Sequence, residues 1–281
     1  MTEIISSISQ CRTWLAQARL EGRTIGFVPT MGALHEGHLQ LMRRAKAENN
    51  VLVVSIFVNP IQFNNPEDLK KYPRMLDQDV AMLEIVGCDI VFAPDEKEMY
   101  PEPATDTYEF GALANVMEGA ARPGHFNGVA VVVRKLFEIV EADKAYFGEK
   151  DFQQLAIIQQ LVKQLAMKVE IVPCPIVREP DGLAMSSRNM RLNDNERFIA
   201  PFIHQTLRKA VVLNKVLSPE EMKNWVLEKF KSRPEFKIDY VEIAEDEHLQ
   251  SVTHWNDAHG ALIFIAVFLG SVRLIDNMRI F

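Results

Sequence analysis

Residues 51–57 read Val-Leu-Val-Val-Ser-Ile-Phe, an apolar run broken only by one serine. A strand that is apolar on both faces must be covered on both faces, which is the situation of a parallel sheet with helices above and below. Its neighbours fit that frame. Residues 24–28 read as an earlier strand, and His38, Leu41, Met42 and Ala45 then recur at the spacing of one helix face. Residues 74–86 read as helical and lead to a short strand at Ile90, Val91 and Phe92. Val129, Val132, Val133, Leu136, Phe137 and Val140 mark another one-sided helix. Residues 144–147, 151–165 and 169–172 continue as strand, helix and strand. This repetition predicts an α/β fold, a Rossmann-like doubly wound parallel sheet.

The pattern changes after Ile176. Pro180-Asp181-Gly182 is a turn signal, because Pro presets φ and Gly accepts a positive one. Asn193 with Glu196, and Ser218 with Glu221, form capping boxes that open two helices, the second with Pro219 at its first position. Residues 237–243, 261–268 and 272–275 read as strands. The expected division is therefore a Rossmann-like domain over 1–176 and a smaller α+β domain over 177–281, joined by a short turn that lets the second act as a lid.

Composition excludes several function classes. Hydrophobic residues make up 48% of the 281 positions, too many for a disordered chain. The 31 Lys and Arg against 38 Asp and Glu leave a net charge of -7, which argues against nucleic-acid or anionic-membrane partners. Cys11, Cys88 and Cys174 are odd in number and far apart, so they suggest a reducing compartment and neither disulfides nor a metal site. The first residues lack the basic start of a secretory leader, and the most apolar stretch, residues 261–269, is about half a membrane span. A soluble, cytoplasmic protein is expected.

Four segments carry chemistry. Residues 29–38, Pro-Thr-Met-Gly-Ala-Leu-His-Glu-Gly-His, fall where the first strand meets its helix, and ligands of doubly wound sheets bind beyond strand C-termini. Gly32 and Gly37 permit close backbone approach, while His35 and His38 could donate to phosphate at a helix N-terminus. Zinc is disfavoured, since the two histidines miss the i, i+4 spacing of a zinc helix. Asn59 and Gln62 follow the second strand and suit a ligand carrying carboxylate and hydroxyl groups; an Asn-Pro turn explains the segment equally well. Lys150 and Gln154 lie one turn apart after a third strand, where a cation opposes the helix dipole and so favours function over a merely solvated first turn. Met185-Ser186-Ser187-Arg188 supplies hydroxyls, backbone N–H groups and a guanidinium, an anion cradle. Residues 122–126, with Arg122 and His125, read as a loop.

Taken in order, these segments closely resemble the pantothenate synthetase (pantoate–β-alanine ligase) family of the nucleotidyltransferase superfamily, from the first strand to Asp276 and Asn277. The superfamily's Lys-Met-Ser-Lys-Ser-type loop stands here as Met185-Ser186-Ser187-Arg188. The resemblance implies ATP-dependent joining of (R)-pantoate to β-alanine through pantoyl adenylate, releasing AMP and pyrophosphate, with the first domain holding nucleotide and pantoate. It implies ATP contacts from Met31, Gly32, Ala33, Leu34, His35, Glu36, Gly37 and His38, from Gly148, Glu149, Lys150 and Asp151, and from Val177, Met185, Ser186, Ser187 and Arg188. His35, His38, Lys150, Ser186, Ser187 and Arg188 would act on the transferring phosphoryl charge, together with a magnesium ion that no protein residue is assigned to ligate. Asn59, Gln62 and Gln154 would hold the acid substrates. A homodimer is also implied. The rivals are another nucleotidyltransferase with the same histidine motif, against which the amides speak, and a silent nucleotide-binding regulator, against which the intact cationic set speaks.

Overall fold

The structure, a computed structural model, describes residues 2–64 and 66–281. The chain begins with β1 (Glu3–Ile5), α1 (Ile8–Leu20), β2 (Ile25–Thr30), α2 (Glu36–Glu48), β3 (Val51–Ile56), α3 (Pro66–Lys71), α4 (Leu76–Ile85) and β4 (Ile90–Phe92). It continues through α5 (Glu96–Met99), α6 (Met117–Ala121), α7 (His125–Val140), β5 (Lys144–Gly148), α8 (Phe152–Gln164) and β6 (Glu170–Cys174). The six strands form one parallel sheet in the order β1-β4-β3-β2-β5-β6, with Ile25 opposite Val51 and Thr30 opposite Ile56.

The apolar run of β3 explains the layering. Val51 and Val53 pack towards α1, α7 and α8, while Leu52 and Val54 pack towards α2 and α4. Both faces are thus covered, as the sequence requires. From β2 the chain winds outward through β3 and β4, and from β5 it winds the other way to β6. The strand order therefore reverses between β2 and β5, and a crevice opens past their C-terminal ends.

Beyond β6 come α9 (Asp194–Ile199), α10 (Phe202–Val212), α11 (Pro219–Lys231) and an antiparallel sheet β7-β8-β9, formed by β7 (Phe236–Glu245), β8 (Ala261–Leu269) and β9 (Val272–Arg279). Both capping boxes form, at Asn193 and at Ser218. The structure departs from the sequence reading in three respects. Three helices stand where two were expected, because Pro201 supplies no N–H to continue the ladder from α9 and opens α10 instead. Strand β9 runs past residue 275, since Asp276 and Asn277 turn inward and are only 4% exposed, a polar pair that hides the strand period. The short β1 and the helix α1 add an edge that the sequence reading lacked.

The two sheets share material. Phe126, Ala156, Ile157 and Leu161 pack with Ala244, Leu262 and Phe264 in one apolar cluster. Beside it Glu118 on α6 accepts a two-pronged contact from Arg273 on β9, at 2.7 and 2.8 Å, and a hydrogen bond from Tyr240 on β7 at 2.8 Å. Among the described residues no helix is long and apolar enough to cross a membrane.

Candidate active site at the strand switch

The tip of β2 turns sharply. Gly32 and Ala33 both take positive φ, 77° and 51°, so the chain reverses into α2 within a few residues. The N–H groups of Ala33 and Leu34 point away from the crevice and donate to the carboxylate of Asp79 on α4, at 2.9 and 2.7 Å. Thr30 Oγ1 steadies the turn from the strand side, accepting from Gly32 N–H at 3.1 Å and donating to the Ser55 carbonyl at 2.7 Å.

His35 caps α2, and its N–H donates to Nδ1 of His38 at 3.3 Å, with the two rings 4.0 Å apart. An accepting Nδ1 leaves the His38 proton on Nε2, which can then donate. Burial, with help from His35 and the Lys150 ammonium, lowers the His38 pKa to about 3; burial and Lys150 lower that of His35 to about 4. Both rings are therefore neutral near pH 7. Nδ1 of His35 is buried without a partner among the described residues, which leaves it open to a ligand. Glycine at position 37 leaves room for the His35 ring: a Cβ there would lie 2.8 Å from His35 Cε1 and the ring would have to shift.

The opposite wall comes from β5, α8 and the segment after β6. Lys150 lies 3.4 Å from its neighbour Asp151. Asn277 on β9 donates to the Glu149 and Lys150 carbonyls at 2.9 and 3.0 Å, fixing that turn. The hairpin carrying Ser186, Ser187 and Arg188 is tied to the same strand, because Arg178 grips the Asp276 carboxylate at 2.7 and 3.0 Å. Ser187 hydrogen-bonds Tyr72, and Arg188 and Arg191 both reach Asp68 on α3, at 3.3 and 3.2 Å.

The amide wall is less uniform. Asn59 is fully engaged: its Nδ2 donates to the Gly128 carbonyl and to Gln62, and its Oδ1 accepts from Tyr100. Among the described residues Gln62 Nε2 meets only the Met31 sulfur, a weak acceptor. Gln154 makes no side-chain hydrogen bond among the described residues. His125, held by Arg122, contacts the Gln62 carbonyl at 2.9 Å, so the 122–126 segment opens α7 and buttresses the amides.

One crevice thus gathers Met31, His35, Gly37, His38, Asn59, Gln62, Gly148, Lys150, Asp151, Gln154, Val177, Met185, Ser186, Ser187 and Arg188. A second cleft, reached past Lys150, Asp151, Ser186 and Arg188, continues it towards Arg273. Five expected ATP contacts lie off the crevice wall. Gly32, Ala33 and Leu34 belong to the turn that Asp79 occupies, and Glu36 pairs with Arg43 and Gln40 on the exposed side of α2. Glu149 presents its carbonyl to Asn277. The sequence reading missed Tyr72, Asp79, Asp68 and the α7 face formed by Val129, Val132, Val133 and Leu136. That face was legible as a helix stripe, but nothing in its period says that it borders a ligand site.

The sequence pattern of the family described as Pantoate-beta-alanine ligase matches residues 3–279. A pantothenate synthetase of Phocaeicola vulgatus is 52% identical over 278 residues, covering 99% of each chain. One of Porphyromonas gingivalis strain W83 is 50% identical over 277 residues, again 99% of each chain. The solved pantothenate synthetase of Thermus thermophilus matches with a TM-score of 0.94 at 43% identity, over 100% of both chains. The pantoate-beta-alanine ligase of Francisella tularensis, complexed with beta-gamma ATP and beta-alanine, matches with a TM-score of 0.82 at 38% identity, over 100% of this chain and 98% of that one.

Proposed function

The chain belongs to the pantoate-beta-alanine ligase family, and from that premise we propose that its crevice activates pantoate as pantoyl adenylate and then transfers the pantoyl group to β-alanine. The activity is ligation of pantoate to β-alanine, with ATP as a substrate. A carboxylate is a poor acyl donor because its oxygen does not leave. Attack by the pantoate carboxylate on the α-phosphorus forms a C–O–P anhydride and expels pyrophosphate. The β-alanine amine then attacks the carbonyl carbon, AMP departs, and the amine loses a proton.

One observation carries this reading: the Nε2–H of His38, the Lys150 ammonium and the Ser186–Ser187–Arg188 segment line the same crevice as Gln62 and Gln154. Joining an anion to a polyanion is limited by charge and orientation, and these are the groups that relieve both. His38, with His35 beside it, donates to phosphoryl oxygens as charge moves onto pyrophosphate. Lys150 and Arg188 neutralise the phosphates, with Ser186 and Ser187 as hydroxyl donors. Gln62 and Gln154 hold the pantoate hydroxyl and carboxylate. Asn59 sets the pose of Gln62 and does not itself contact the acid. Gly148, Asp151, Val177, Met31 and Met185 border the nucleotide.

Among the described residues no group of three or more carboxylate, imidazole or thiol side chains could hold a metal ion. Asp68 and Asp151 are each already paired with cations. That donor set does not fit a resident ion, so magnesium enters this proposal only as part of the nucleotide substrate.

The proposed boundary between the nucleotide-binding and smaller domains stays at 176–177; the homodimer is carried over as a family expectation and the cytoplasmic location as an expectation from composition. ATP–pyrophosphate exchange that requires pantoate, followed by AMP release on addition of β-alanine, is the expected result. Exchange without pantoate would point to a different acceptor, and no exchange at all to a binder that performs no chemistry.

A further inference from the structure

We propose that Asp79 is a positioning residue for the reaction: its carboxylate fills the anion nest of the β2–α2 turn and thereby holds His35 and His38 in their working geometry. Successive N–H groups in left-handed backbone converge to form a concavity for an anion. Gly32 and Ala33 build such a concavity, and what sits in it is a carboxylate of the same chain, 1% exposed, accepting from Ala33 and Leu34. A Cβ at position 32 would stand 2.8 Å from Asp79 Oδ2, so Gly32 makes room for this carboxylate.

Two consequences follow. The Ala33 and Leu34 N–H groups are taken up by this carboxylate and so are not offered to phosphate, which leaves Met31, Gly37 and the two histidine rings as the parts of the 31–38 segment that border the crevice. Furthermore, a left-handed alanine persists only where its surroundings over-determine it. Asp79 grips the Leu34 N–H; the next residue's N–H is the donor to His38 Nδ1, and that contact places the His38 proton on Nε2. Slack at Asp79 therefore reaches the reacting proton within one residue. Burial raises the Asp79 carboxyl above its ordinary pKa, and the Leu34 and Ala33 N–H groups oppose that rise.

The proposal rests on His38 as the donor, so the experiment includes His38→Ala. Single-turnover adenylate formation would be measured on full-length wild type, Asp79→Ala, Asp79→Asn and His38→Ala, with folding checked by thermal unfolding. Asp79→Asn keeps the volume but turns a donor towards an N–H, and it is the variant to read if Asp79→Ala fails to fold. Both Asp79 variants should lose about a hundredfold in rate, the scale of a misplacement near 1 Å, with KM for ATP and pantoate little changed. Formate, which can reoccupy the nest, should restore Asp79→Ala in a saturable way and leave wild type unchanged, whereas formamide should not. A wild-type rate in a folded Asp79 variant overturns the proposal. So does a defect confined to the KM for ATP, or a loss in Asp79→Ala that formate leaves untouched. If His38→Ala is itself fully active, the donor reading falls, whatever the Asp79 variants do.

Discussion

At the scale of single residues, the two histidines couple chemistry to stability. Their folded pKa values, about 3 for His38 and about 4 for His35, lie below the ordinary 6.5. A depressed value means that the fold favours the neutral ring. The associated stability is complete above pH 6.5 and drains away as pH falls through 6.5 towards 4 and 3. The melting temperature should therefore fall as pH drops across that window, and His38→Asn should flatten the decline; an unchanged slope would place the acid-sensitive group elsewhere. For the reaction itself, His38→Ala should slow adenylation by about 10²–10³-fold, as removal of a donor to developing charge does, with ATP affinity nearly kept. The amides separate by their partners. Gln154, which has none among the described residues, should when changed to Ala raise KM for pantoate by roughly ten- to a hundredfold without moving the melting temperature. Asn59→Ala strips the Gly128 carbonyl and the Tyr100 hydroxyl of their partner and should cost about 1–3 kcal/mol of stability. The sequence named all these side chains, but it could not tell the engaged Asn59 from the free Gln154, because both are amides near strand ends and only packing distinguishes them.

At the scale of elements, α2 shows how a helix start is shaped for a purpose other than helix stability. Gly37 lies within its first turn, where alanine would be the better helix former by up to about 1 kcal/mol. An added Cβ, however, would press on the His35 ring. Gly37→Ala should hold or raise the melting temperature while adenylation falls. A variant as active as wild type would show that the ring moves aside without cost. The parallel sheet was legible because its signals are local: the two-faced run of β3, the helix stripe of α7, the capping boxes at Asn193 and Ser218. What escaped depends on contacts distant in sequence. Three-residue β1 is a strand only by virtue of its pairing with β4, and β9 hides its period behind Asp276 and Asn277. Asp79 shows nothing in its neighbourhood on α4 to announce that its carboxylate serves a turn 45 residues upstream.

At the scale of the whole molecule, the second sheet is held as well as joined. The apolar cluster around Phe264 and the buried Glu118–Arg273 pair fasten it to α6, α7 and α8. The lid motion expected from a short connecting turn is thereby narrowed, in our proposal, to the segment over 178–191. ATP should protect amides of that segment from hydrogen exchange and leave β7, β8 and β9 as they were; equal protection across β7–β9 would mean that the entire sheet swings. Arg273→Ala strands a buried carboxylate and should cost about 3–5 kcal/mol, read as a lowered melting temperature. The tie through β9 has a further consequence, which concerns synthesis. Asn277, which steadies the Lys150 turn, leaves the ribosome 127 residues after Lys150 itself. A nascent chain thus carries the groups proposed to bind phosphate long before anything holds them in register, so a stalled or prematurely released product is not expected to consume ATP, and turnover becomes a report that translation has passed β9.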